Sequence, residues 1–143
     1  MCKELDIPLG EQSDIKEIKQ RLNDVYKEEF DWLEGLPTIL ETQKFIFVHA
    51  GLTTEELQKQ KYESAVSAKE FLNIEQSFEK YVIVGHWPTS NYGNHRKCCN
   101  PIIDKKKHII SIDGGNVLNK YGQLNAFIIP EKDSTEFQFE LYD

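Results

Sequence analysis

Apolar residues fall three or four apart along the first part of the chain. Ile15, Ile18, Leu22, Val25, Trp32, Leu33 and Leu36 mostly keep this spacing, with acids and lysines between them. The pattern predicts an amphipathic helix from Ser13 to about Leu36. Asp14 followed by Glu17 resembles a capping box with Asp in the capping position, and Gly35 with Pro37 supplies the stop.

Beyond Pro37 the spacing changes to short runs rich in β-branched and aromatic residues: "TIL", "FIFV", "YVIV", "IISI", "LNAFII" and "FQFELY". These runs predict strands. "PTILETQKFIFV", "PIIDKKKHIISI" and "NAFIIPEKDSTEFQFELY" each read as two strands around a polar turn. The stretch "TTEELQKQKYESAVSAKEFL" predicts helix, in two pieces. With no internal repeat and no low-complexity segment, the expected architecture is a helix-covered, mixed β-sheet of the α/β (α+β) class. Residues 1–36 form a helical lead-in and residues 37–143 a β-rich part.

The 143 residues allow one domain with a real core. The formal charge of -7 removes any general attraction to a nucleic-acid backbone. No apolar run approaches the roughly 20 residues that span a bilayer, and the first ten residues lack the order of a signal peptide. The expectation is a soluble, cytoplasmic protein with neither nucleic acid nor membrane as partner. Cys2, Cys98 and Cys99 are odd in number, and the last two are adjacent. Reduced thiols fit this better than a disulfide framework, and adjacent cysteines with His95 match no common zinc spacing.

Three apolar runs finish alike. "FIFV" leads to His49, Ala50 and Gly51; "YVIV" leads to Gly85 and His86; "IISI" leads to Asp113, Gly114 and Gly115. Each places a polar residue with glycine at the carboxyl end of a strand, where ligands gather in sheets of this kind. Spacing alone leaves three roles open for the two imidazoles: metal ligand, general acid or base, or satisfied core residue.

In order and context, "FVHAGL", "VIVGHWPT" and "IISIDGG", preceded by "WLEGLPTILETQK", resemble the C-terminal half of a calcineurin-like metallophosphoesterase. The likeness runs from about Phe30 to Ile129 and is greatest to the bacterial Ser/Thr phosphoprotein phosphatase family, which also contains the symmetrical diadenosine tetraphosphatases. The resemblance implies a four-layer αββα sandwich holding two divalent metal ions, with Mn, Fe, Zn or Ni all suited to imidazole. It assigns His49 and His86 as metal ligands and Gly51, Gly85 and Asp113 as support for the site. It implies hydrolysis of a phosphorylated protein or a nucleotide by a hydroxide that two metals activate.

The same resemblance calls for "GDxHG", "GDxxDRG" and "GNHE" motifs ahead of His49, and the first two occur nowhere in the sequence. "GNHRK" at 93–97 stands after His86 with no strand leading in, so His95 is expected in an exposed loop. The leaving-group acid is therefore expected in an N-terminal half supplied in cis or in trans, and the 143 residues alone are expected to be inactive. The family's phosphate-holding arginine has no counterpart from Leu52 to Val84; Lys69 in that segment and Arg96 beyond it are candidates to replace it, and the phosphate-binding residue stays unassigned. A non-catalytic module that binds a partner or self-associates through a bare sheet edge is the reading from a different class. His108 and "DKKK" are expected in an exposed hairpin turn, and Tyr121 with Gly122 in another.

Overall fold

The computed structural model describes residues 14–53, 56–93, 98–118, 120–130 and 137–142. Cys2, His95 and Arg96 lie outside them. The chain divides into two compact units, Met1–Pro37 and Thr38–Asp143.

In the first unit the expected single helix is two. α1 spans Ile15–Val25 and α2 spans Lys27–Glu34, with Tyr26 between them at φ -112°. The Asp14 carboxylate accepts the Lys16 N–H at 2.8 Å and so satisfies one of the orphan donors of the first turn. Ile18, Leu22, Tyr26 and Phe30 make a half-buried stripe four residues apart, while Ile15, Val25, Trp32 and Leu33 are exposed.

The second unit is built on a five-stranded sheet. Its strands are β1 (Ile39–Glu41), β2 (Phe45–Val48), β3 (Tyr81–Val84), β4 (Ile102–Asp104) and β5 (Ile109–Ser111), in the order β1-β2-β3-β5-β4. β2, β3 and β5 run parallel, and an antiparallel partner flanks them on each side. Two of the expected hairpins are thus β1–β2 and β4–β5. The third is β6 (Leu124–Ile128) with β7 (Gln138–Tyr142), a separate two-stranded sheet.

Buried parallel strands are apolar on both faces, and the register shows it here. Ile46, Val48, Val82, Val84 and Ile109 point to one side, under Leu52, Ala65, Phe71, Leu72, Phe78 and Tyr92 from the connecting segments. Phe45, Ile83 and Ile110 point to the other, where Phe127, Phe137 and Phe139 of the β6–β7 layer cover them. Val82, Ile109 and Ile110 have no exposed surface, and each such side chain stabilises the fold by roughly 1.5–3 kcal/mol.

Among the described residues, the passage between β2 and β3 holds three short turns of helix in place of the two expected pieces. α3 (Tyr62–Ser67) lies between 3₁₀ turns at Leu57–Lys59 and Phe71–Asn73, and another 3₁₀ turn, Thr89–Asn91, follows β3. Among the described residues, no helix is long and apolar enough to cross a membrane.

Candidate metal centre

The carboxyl ends of β2, β3 and β5 lie side by side, because these three strands are parallel neighbours. The first two ends are tied directly. Gly85 donates its N–H to the His49 carbonyl at 2.9 Å, and Trp87 closes a three-residue turn on the Gly85 carbonyl at 2.7 Å. His86 is the middle residue of that turn, at φ 63°. This is the left-handed region, uncommon for a residue with a side chain, and the positive-φ form of such a turn is the strained one.

This backbone brings the rings together. His49 Nε2 lies 3.1 Å from His86 Nδ1, with ring centroids 4.9 Å apart and planes at 62°. His49 is exposed and His86 half-buried, so the pair opens to solvent. By itself the pair is a hydrogen bond in which one nitrogen carries the proton. As joint ligands both nitrogens must present lone pairs, which moves the ring protons to His49 Nδ1 and His86 Nε2.

Donor chemistry and spacing both fit one shared ion. Two nitrogens each about 2.0–2.1 Å from an ion stand roughly 2.9–3.4 Å apart at octahedral and tetrahedral angles. Among the described residues, no cluster of three or more His, Cys, Asp or Glu side chains could hold a metal. The two imidazoles are thus a partial set of donors.

Glycines let other segments close in. A methyl group at Gly51 would meet the Phe71 ring at 2.5 Å and the Ala68 methyl at 3.1 Å. Ala50 donates to the Ala65 carbonyl at 2.8 Å. The α3 segment is therefore docked on the loop that carries His49. From the same segment Lys69 reaches across, its Nζ 5.7 Å from the centroid of the Trp87 ring, next to His86. Lys69 and Trp87 thus pair directly after His86; the sequence signal for Trp87 was its place directly after the "GH".

At the third strand end, Asp113 turns inward to its own loop. Its carboxylate accepts the Gly115 N–H at 2.8 Å, and its carbonyl accepts the Thr89 N–H at 2.8 Å, three residues past His86. Asn125 clamps this loop from β6, donating to the Ile112 and Cys99 carbonyls at 2.9 Å each. Nearby, burial pushes the Tyr92 phenol up from its ordinary value.

The remaining candidates lie apart. Cys98 is half-buried and Cys99 buried; both are free thiols, and Cys99 Sγ donates to the Tyr121 carbonyl at 3.3 Å. His108 lies in the turn between β4 and β5, as expected, but is not exposed there. It precedes β5, at the opposite end of that strand from Asp113, half-buried at φ 55°, with Nδ1 2.6 Å from the Phe78 carbonyl.

No protein-family model, curated protein or solved structure matches the chain.

Proposed function

We propose that this chain is the C-terminal half of a metal-dependent phosphoesterase of the Ser/Thr phosphatase type, with His49 and His86 donating to a shared ion. The observation that carries the reading is the 3.1 Å approach of Nε2 and Nδ1 from the ends of two parallel strands. A satisfied core histidine has no reason to be exposed, and His49 is.

When bound, divalent ions neutralise phosphoryl oxygens and make water acidic enough to be a nucleophile near neutral pH. The chain's own residues orient the donors. The Gly85 N–H and the Trp87 turn fix the two strand ends, and Gly51 admits the Phe71 ring and the Ala68 methyl. Asp113 holds its glycine loop beside them. Lys69, the cation over Trp87, stands where it can attract a phosphate group, in the role for which the family uses arginine. The other ligands and the leaving-group acid come from polypeptide that these 143 residues do not include.

The test combines binding and turnover. The chain should bind manganese weakly by calorimetry, and His49→Ala or His86→Ala should abolish that binding. Hydrolysis of p-nitrophenyl phosphate should require an upstream-extended chain carrying the missing motifs, and both alanine changes should remove it. Full turnover by an extended chain that has lost both imidazoles rejects the assignment.

A further inference from the structure

The outer strand β4 has one residue that turns its backbone away from the sheet. Val82 donates to the His108 carbonyl at 2.8 Å and Ile112 to the Val84 carbonyl at 2.9 Å, so His108, Ile110 and Ile112 face the parallel strand β3. Ile109 and Ser111 therefore direct their N–H and C=O groups to β4, where they pair with Asp104 and Ile102. Ile103, between these two, sends its own N–H and C=O outward, and among the described residues no strand pairs with that edge. Pro101 has no N–H to offer, so the usable edge is short.

The edge overlooks an open cavity of about 530 Å³. Buried Leu72 and Tyr92 line it together with Ile102 and Ile103 of the strand. Lys107 holds these walls together: its Nζ donates to the Leu72 carbonyl at 2.7 Å and lies 3.7 Å from the Asp104 carboxylate. At one end of the cavity stand Lys105 and Lys106, both exposed, and neither ammonium has an ion-pair partner among the described residues. With Lys107 they make the one run of three lysines in a chain of net charge -7.

We propose that the β4 edge docks a short extended segment of a partner protein, apolar at alternate positions and acidic at the end that meets Lys105 and Lys106. Three features select this occupant. The unpaired N–H and C=O of Ile103 are what an incoming strand satisfies. In antiparallel pairing one residue of that strand takes both bonds, and its two neighbours stand opposite Ile102 and Asp104, on the face where Ile102 packs with Leu72 and Tyr92. Apolar side chains at those two positions therefore enter the cavity. The two unpartnered ammonium groups favour acids beyond them. The edge lies next to the turn at the opposite end of β5 from Asp113, so the inference stands independently of the reading of the histidines.

The probe is the synthetic peptide acetyl-Asp-Asp-Val-Thr-Val-Thr-amide, titrated into the isotopically labelled 143-residue chain and followed by amide NMR shifts. Saturable shifts in β4, at Leu72 and at Tyr92 are expected. Binding should weaken about fivefold when both Asp residues of the peptide become Asn, the size that two exposed ion pairs carry. Ile103→Pro removes the outward N–H and no bond of the β4–β5 ladder, and should weaken binding about tenfold. Should that variant fail to fold, the exposed double change Lys105→Glu and Lys106→Glu carries the test, with at least a fivefold loss for the acidic peptide expected. Shifts that fall elsewhere, or none up to the peptide's solubility limit, overturn the proposal. Equal affinity for the Asn peptide does so too, as does binding that a folded Ile103→Pro leaves unchanged. A dimer by sedimentation that Ile103→Pro dissolves also overturns it, because the occupant is then a second copy.

Discussion

His86 is the residue whose backbone and ring ask for different amino acids, and substituting it separates the two. At φ 63° a β-carbon crowds the adjacent carbonyl, a cost of about 1–2 kcal/mol for any residue but glycine. Glycine escapes that cost, yet it gives the unfolded chain extra freedom worth about 0.4–1 kcal/mol relative to alanine. His86→Gly and His86→Ala both lose the imidazole and its 3.1 Å contact with His49, so those losses cancel between the variants. The remainder is about 0.8 kcal/mol in favour of glycine. Urea unfolding followed by far-UV circular dichroism reads this directly. With a slope of about 1–2 kcal/mol/M, the glycine variant should unfold at about 0.5 M higher urea, at unchanged slope. Manganese binding should be lost in both. An alanine variant as stable as the glycine variant, or more so, would mean that residue 86 carries no left-handed strain, and the account of how the turn aims this ring would fall. The expected order instead shows the chain holding histidine where glycine folds better, as functional positions do.

Two further outcomes follow from the surroundings. Gly114→Ala puts a methyl group 2.1 Å from the Gln123 carbonyl oxygen, a backbone atom, and should cost about 2–3 kcal/mol in chemical denaturation; a change under about 0.5 kcal/mol contradicts the close approach. The Lys107 backbone N–H, with help from that of Lys106 and from the Lys107 ammonium, holds the Asp104 carboxyl below its ordinary value. A carboxyl lowered by folding adds stability that is present above its unfolded value, about pH 3.9, and is lost as pH falls through its folded value. Asp104→Asn should therefore flatten the acid side of a midpoint-versus-pH curve below about pH 4, and an unaltered slope there removes Asp104 as a contributor.

Strands were legible where composition and alternation agreed. "FIFV" and "YVIV" are apolar throughout, and "IISI" is so but for Ser111, because β2, β3 and β5 are buried on both faces, and the polar turns of the flanking hairpins mark them. Helices were less legible. The break at Tyr26 carries neither glycine nor proline, and the segment from 56 to 72 has helical composition yet folds as short turns, because Ala65 and Phe71 pack against the His49 loop. For the site, two histidines at equivalent strand ends could be paired in advance, since parallel neighbours align their ends. Lys69 over Trp87 could not, because a contact between residues 18 apart depends on how a loop closes. The turn at His108 was legible but its partial burial was not, because a ring hydrogen bond to Phe78, 30 residues away, leaves no mark in local composition.

The strand order β1-β2-β3-β5-β4 also bears on how the protein acquires its site. The β1–β2 and β4–β5 hairpins close over short stretches of chain and can form early and separately. β3 must then slot between them, by parallel pairing across a connection of more than thirty residues, which is intrinsically slow. His49 and His86 meet only when β2 and β3 pair, so their proximity reports that long-range step, and a chain arrested before it would hold no donor pair.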